Sequence, residues 1–253
     1  MRYHLGKDTL ISACVLVLVL GFIPLAAQTT PADSLPSADQ IIEKYVQAVG
    51  GKAALEKLTS RVSTGTIEFD VMPGAFNQEI YEKAPNKQCW IMDAAQFGVI
   101  RLGYNGTVGW EDNPQTGLRE LDGMRLAVMK RTTDFYRPIK LKEIYPKMAV
   151  TGKEAINGHD AYVLEATPPD GPAEWMYFDT DSGLLVRHKG QNESPTGPVM
   201  VETTTSDYHE VDGIKLPFTT YISRPDISFT IRLSEVKHNV PIEDSKFDKP
   251  AGE

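Results

Sequence analysis

From residue 61 onward the sequence runs repeatedly into stretches where apolar and polar residues change places at every second position, and this period of two is the strongest constraint on the fold. Successive side chains of a strand point to opposite faces, so the alternation means a sheet with one apolar face and one wet face. In "TIEFDV", Ile67, Phe69 and Val71 alternate with Thr66, Glu68 and Asp70, and in "GVIRLGY", Ile100, Leu102 and Tyr104 share a face. "GIKLPFTTYI" groups Ile214, Leu216, Phe218 and Ile222, and "ISFTIRL" groups Ile227, Phe229, Ile231 and Leu233. Between such runs stand Asn105-Gly106, Asn157-Gly158, "TDSG" at 180–183 and Asp212-Gly213, which supply the positive φ of tight hairpins. The spacing predicts about eleven strands: 61–71, 76–84, 88–94, 98–104, 107–112, 147–154, 160–167, 174–179, 183–189, 199–210 and 214–236, the last holding two. Up-and-down antiparallel order is the economical topology.

Helical periodicity occurs in two places. Ser37 stands three residues before Gln40 and just ahead of "IIEKYVQAV", a capping box that opens a helix over about 38–49 with Ile41, Ile42, Tyr45, Val46 and Val49 on one face. The "AVGGKAALEKL" that follows resembles a phosphate loop only superficially. A P-loop needs a glycine five before Gly51, where Val46 stands, and a hydroxyl after Lys52, where Ala53 stands. It is a helix end followed by a short helix over about 52–58. Further on, "ELDGMRLAVMKRTTDFYR" (120–137) places Leu121, Met124, Val128, Thr132 and Phe135 at spacings of three and four, with Asp122 as N-cap. A helix inserted between hairpins lies on the apolar face of the sheet, because the other face can stay in water. The fold class is therefore mainly β with a few helices: a curved antiparallel sheet whose concave face is covered by the N-terminal helices and this central helix.

The N-terminus carries Arg2 and Lys7, then "LISACVLVLVLGFIPL", then "LAAQ", the three parts of a secretory signal peptide with cleavage near Ala27. The predicted layout is a signal over 1–27, a flexible leader over 28–36, and one domain over 37–253. "ISAC" fits a lipobox at Cys14 poorly, because most of the apolar run follows the cysteine. Once exported, the chain keeps Cys89 alone, so it forms no internal disulfide. It is one charge more negative than the −8 of the whole sequence. Acidic and without a basic block, it lacks the surface that nucleic acid requires.

No catalytic group stands out. There is no Gly-x-Ser-x-Gly elbow and no His-Glu-x-x-His, and carboxylate pairs in an acidic chain carry no weight. In "DYHEVDG", alternation sends Asp207 and His209 to one face and Glu210 and Asp212 to the other, so the segment reads as a solvated hairpin and not a metal site. Asn105-Gly106-Thr107 and Asn192-Glu193-Ser194 match glycosylation sequons but sit in turns. No metal, cofactor or catalytic residue is expected.

The stretch "EIYEKAPNKQCWIMDAAQFGVIRLGYNGTVGWEDNP" (79–114) resembles the LolA family of periplasmic lipoprotein carriers. There a Lys-Arg-Pro-Asn strand end leads to an aromatic strand, an Asp-Gly hairpin, a Trp strand and an Asn-Pro. The counterparts are Lys83, Pro85, Asn86, Trp90 and Met92, then Asn105-Gly106, Trp110, Asn113 and Pro114. "IEDSKFDKPAGE" is similar to the family's ending, through Asp244, Phe247, Pro250 and Gly252. The arginine before the family's proline, associated with gating and release of cargo, is Ala84. The resemblance implies an unclosed barrel with a lidded apolar cavity for acyl chains. Relatives of that fold include stress-sensor domains and mycobacterial lipid-binding lipoproteins. By alternation the cavity lining is Ile67, Phe69, Trp90, Met92, Ile100, Leu102, Trp110, Met124, Val128, Phe218, Phe229 and Ile231. The expected function is that of a non-enzymatic, monomeric periplasmic carrier of an acyl chain or lipoprotein. The alternative is an envelope structural or stress-sensing module with a packed interior, partnered by another envelope protein.

Overall fold

A computed structural model of the protein describes residues 35–194 and 197–251; the signal segment, Cys14, Ala27 and most of the leader lie outside them. Helices α1 (Ala38–Ala48) and α2 (Lys52–Leu55) precede strands β1 (Ser60–Phe69), β2 (Ala75–Lys83), β3 (Lys87–Asp93), β4 (Val99–Tyr104), β5 (Gly109–Asn113) and β6 (Gly117–Glu120). Helices α3 (Gly123–Thr132) and α4 (Arg137–Ile144) follow. Then come β7 (Lys147–Ile156), β8 (His159–Thr167), β9 (Glu174–Asp179), β10 (Leu185–Ser194), β11 (Gly197–Val211), β12 (Ile214–Ser223) and β13 (Ser228–His238).

The strands form one antiparallel sheet in the order β6-β5-β4-β3-β2-β1-β13-β12-β11-β10-β9-β8-β7, open between β6 and β7. The described strands number thirteen, not about eleven. The span 214–236 divides at a turn closed by Arg224 N–H on the Ile227 carbonyl (3.0 Å), and the four-residue β6 was not expected. The long helix expected over 120–137 is shorter, and "RPIKLKEI" after it forms α4.

The sheet is strongly curved, and α3 shows why. Its Leu126 and Met129 pack with Leu102 and Tyr104 of β4, while its other side lies on β10. Seven inter-strand spacings separate β4 from β10, about 34 Å along a flat sheet. A ten-residue helix spans only about 15 Å, so the sheet must curl around it.

Most of the core lies between the helices and one half of the concave face. Ile41, Ile42, Tyr45 and Val46 of α1 pack with Leu141 of α4 and the following Tyr145, against Leu164 and Ala166 of β8, Met176 and Phe178 of β9, and Ile214 of β12. Burying one such side chain stabilises the fold by roughly 1.5–3 kcal/mol. The capping box is formed, with Gln40 N–H on Ser37 Oγ (3.2 Å) and Ser37 N–H on Gln40 Oε1 (2.8 Å). The glycine pair after α1 joins it to the sheet. Gly50, at φ +120°, lies so close to the β11–β12 hairpin that a Cβ would stand 2.2 Å from the Gly213 carbonyl oxygen. Lys52 is exposed and pairs with Glu56 at 3.7 Å.

The opposite face is also covered in part. The chain after β13 crosses it, burying Phe247 against Cys89 and Trp110, with Trp110 Nε1 donating to the Phe247 carbonyl at 2.9 Å.

Candidate functional site

Register, not sequence spacing, decides which of the expected lining residues meet. Ile67 pairs with Phe76 and Ile231, Phe69 with Phe229, Met92 with Ile100, and Trp90 with Leu102. Apolar rows thus cross five adjacent strands, β13, β1, β2, β3 and β4, on the concave face. Ile67 and Met92 are buried, whereas Phe69, Phe76, Trp90, Ile100, Phe229 and Ile231 are half-buried around them. These residues form a trough beside α3, on the part of the face that α1 and α4 leave uncovered. Hairpin order puts the β1–β2, β3–β4 and β12–β13 turns at the same end of the trough, where Val71 (78% exposed) and Phe97 (45%) are bare.

Seven of the twelve expected residues, Ile67, Phe69, Trp90, Met92, Ile100, Phe229 and Ile231, belong to this cluster. Leu102 lies at its inner end, packed with Leu121, Leu126 and Met129. Val128 lines a separate recess of about 110 Å³ under α3, far smaller than the roughly 300–1,000 Å³ of ordinary ligand pockets. Met124 is half-buried on α3, and Phe218 is half-buried with its ring stacked on His209 at 4.4 Å. Trp110 corrects the expectation. It pairs with Gly103, on the face opposite Leu102, and its indole lies across that glycine, where a Cβ would come within 2.2 Å of the ring. Glu111 takes the concave side instead, held by Arg119 (2.9 Å) and by Arg125 of α3.

Sequence reasoning missed a polar cluster beside the small recess. Glu174, at the start of β9, accepts from Arg131 of α3 (2.9 Å), from the Tyr145 hydroxyl (2.7 Å) and from His188 Nε2 of β10 (2.7 Å). Arg131 also reaches Asp170 at 2.6 Å. Burial alone would raise the Glu174 pKa, but hydrogen bonds from His188 and Tyr145 and the Arg131 charge outweigh it and bring it to about 2. For His188, burial prevails over the attraction of Glu174 and lowers its pKa, so a neutral ring donates through Nε2. Four residues so far apart in sequence give no spacing signal. The one visible hint is a carboxylate opening the otherwise apolar "EWMYF".

Among the described residues no cluster of three or more His, Cys, Asp or Glu could hold a metal ion. "DYHEVDG" is partnered within the protein, with His209 on Asp207 (2.8 Å) and Asp212 on His238 (3.0 Å). No described helix is long and apolar enough to cross a membrane. Ala84, at the place of the family's arginine, packs against the main core, and its N–H donates to the Thr59 carbonyl at 2.9 Å.

No protein-family model matches the sequence, and no curated protein matches it. Solved structures do. A DUF1329 family protein from Desulfovibrio piger is similar at 15% identity with a TM-score of 0.58, over 83% of this chain and 96% of its own. A LolA superfamily protein from Nitrosomonas europaea follows at 13% identity and a TM-score of 0.55, over 85% of this chain and 99% of its own. The fold is LolA-like. An outer membrane lipoprotein-sorting protein domain from Vibrio parahaemolyticus has the same likeness, at 13% identity and a TM-score of 0.55, over 83% and 95% of the two chains. What this LolA-like chain shares with all three is the fold, over more than four fifths of its length.

Proposed function

We propose that the protein is a non-enzymatic periplasmic carrier that holds an acyl chain, free or on a lipoprotein, in the concave trough. One observation carries this reading: six large apolar side chains, contributed by adjacent strands, stand together on the concave face only partly buried. Scattered apolar surface is normal, but a contiguous patch marks a binding surface. The lipoprotein-sorting domain that shares the fold supports the choice of cargo, and the signal-like N-terminus supports export of the chain with its signal removed near Ala27. Burial gains about 0.8 kcal/mol per CH₂, so a sixteen-carbon chain gains roughly 10 kcal/mol before ordering costs. Because α3 packs on the inner end of the trough, seating a long chain fully requires that helix to shift.

The test is native mass spectrometry and lipid extraction on protein recovered from a bacterial periplasm. A stoichiometric acyl ligand is expected, and it should be lost in Ile231→Glu, which places a carboxylate in the trough. A ligand-free mass that persists after incubation with fatty acids and lipid vesicles would exclude the carrier reading. One feature favours an interaction module instead: the packed apolar core under α1, α2 and α4. That reading requires binding of a protein through the sheet edges or the bare Val71 and Phe97, with no lipid taken up.

A further inference from the structure

Within the apolar trough stands one buried amide. Gln78 of β2 is 2% exposed and lies in register with Met92 on β3. Its Oε1 accepts from the Trp90 indole N–H at 2.8 Å. An indole nitrogen only donates, so this bond fixes the amide with its oxygen toward Trp90 and its NH₂ turned away. The Nε2 atom is buried and has no acceptor among the described residues. Leaving such a donor unmet is costly, and a native fold keeps one where something else uses it. On β1 the residue paired with Gln78 is Gly65, so no side chain stands between the amide and that strand.

Resting on the carrier reading above, we infer that Gln78 is a recognition residue for cargo: its Nε2 donates to the carbonyl oxygen of a neutral acyl ester or amide whose hydrocarbon lies along the trough. The donor is neutral, and the cross-strand neighbours that the register and the indole bond set beside it, Met92 and Trp90, are apolar. A carboxylate brought there would lose its hydration with no countercharge, whereas an ester or amide carbonyl loses little and gains the hydrogen bond. The chain enters between the half-buried rings of Phe69, Phe76 and Phe229, which lie nearer the bare end of the trough. Their swing opens the way to the amide. The site therefore distinguishes an acyl linkage from an alkyl one of the same length, which burial of CH₂ groups alone does not.

The experiment is a competition. The delipidated chain is offered equal amounts of 1-decanoylglycerol, N-decanoylethanolamine and 1-decylglycerol, an ether that lacks the carbonyl, and the ligands recovered with it are quantified. Because the readout is a ratio, partial unfolding of a variant does not distort it. Wild type is expected to favour an acyl compound over the ether about five-fold, the effect of one hydrogen bond. Which compound leads names the linkage. Gln78→Met, and Gln78→Met combined with Trp90→Phe so that no indole N–H is stranded, should bring the ratio to one. Equal recovery of all three by wild type overturns the role of Gln78 while leaving the carrier reading intact. Recovery of none overturns both.

Discussion

The buried carboxylate of Glu174 governs how the protein responds to acid. Its pKa is about 2 when folded, against 4.5 for a free glutamate. The unfolded chain therefore binds its proton first as pH falls, so the contribution is fully present above about 4.5 and is lost on the way down to about 2. The difference corresponds to about 3 kcal/mol. His188 acts in the same direction over a higher range. Burial lowers its pKa below the ordinary 6.5, so the unfolded chain gains that proton first and stability begins to decline below about 6.5. Glu174→Gln should cost about 3 kcal/mol at neutral pH, because Arg131 is left with half-exposed Asp170 alone, and should flatten the decline below pH 4.5. Urea unfolding at pH 7 and pH 3 measures both, and an unchanged acid slope in the variant would refute the assignment. Alternation of single residues reads true only where one face is covered. At Trp110 both faces are covered, one by α3 and one by the C-terminal chain, and the polar Glu111 faces the lid because two arginines pair with it.

Elements with strong local signals were legible. The Ser37 capping box, the glycine stop after α1 and the Asn157-Gly158 and Asp212-Gly213 turns each form as their residues dictate: Asn157 and Gly158 take φ of 52° and 86°, and Asp212 and Gly213 take 52° and 79°. Strand β6 was not, because four residues are too few for a period of two to register. Helix α4 was missed because Pro138 reads as the end of the preceding helix, whereas in the first turn of a new one its absent N–H costs nothing. The polar cluster is assembled by α3, β9 and β10 together, and no element shows it alone. Removing the cap with Ser37→Ala should destabilise the protein by about 1 kcal/mol. Gly50→Ala should do more, by roughly 1–3 kcal/mol, since a methyl there meets the Gly213 carbonyl at a φ that side chains avoid. Thermal melts that rank the two in the reverse order would mean that α1 does not dock through its glycine end.

At the scale of the whole molecule, the chain beyond β13 closes the convex face over β3 and β5. Phe247 is fully buried there, Cys89 is 1% exposed, and burial raises the Cys89 pKa. Phe247→Ala should cost about 3–5 kcal/mol and make Cys89 accessible to a thiol-alkylating reagent, read by peptide mapping. If Cys89 stays protected, the C-terminal segment is not its cover. The strand order has a broader consequence. The first and last strands, β1 and β13, pair at the middle of the sheet, while its two edges are β6 and β7, consecutive in the chain and joined by α3 and α4. Most folds loosen from their termini inward. In amide hydrogen exchange this one should do the reverse, holding its deuterium uptake lowest where the two ends of the sheet-forming chain meet and highest at the mid-chain seam beside the lid.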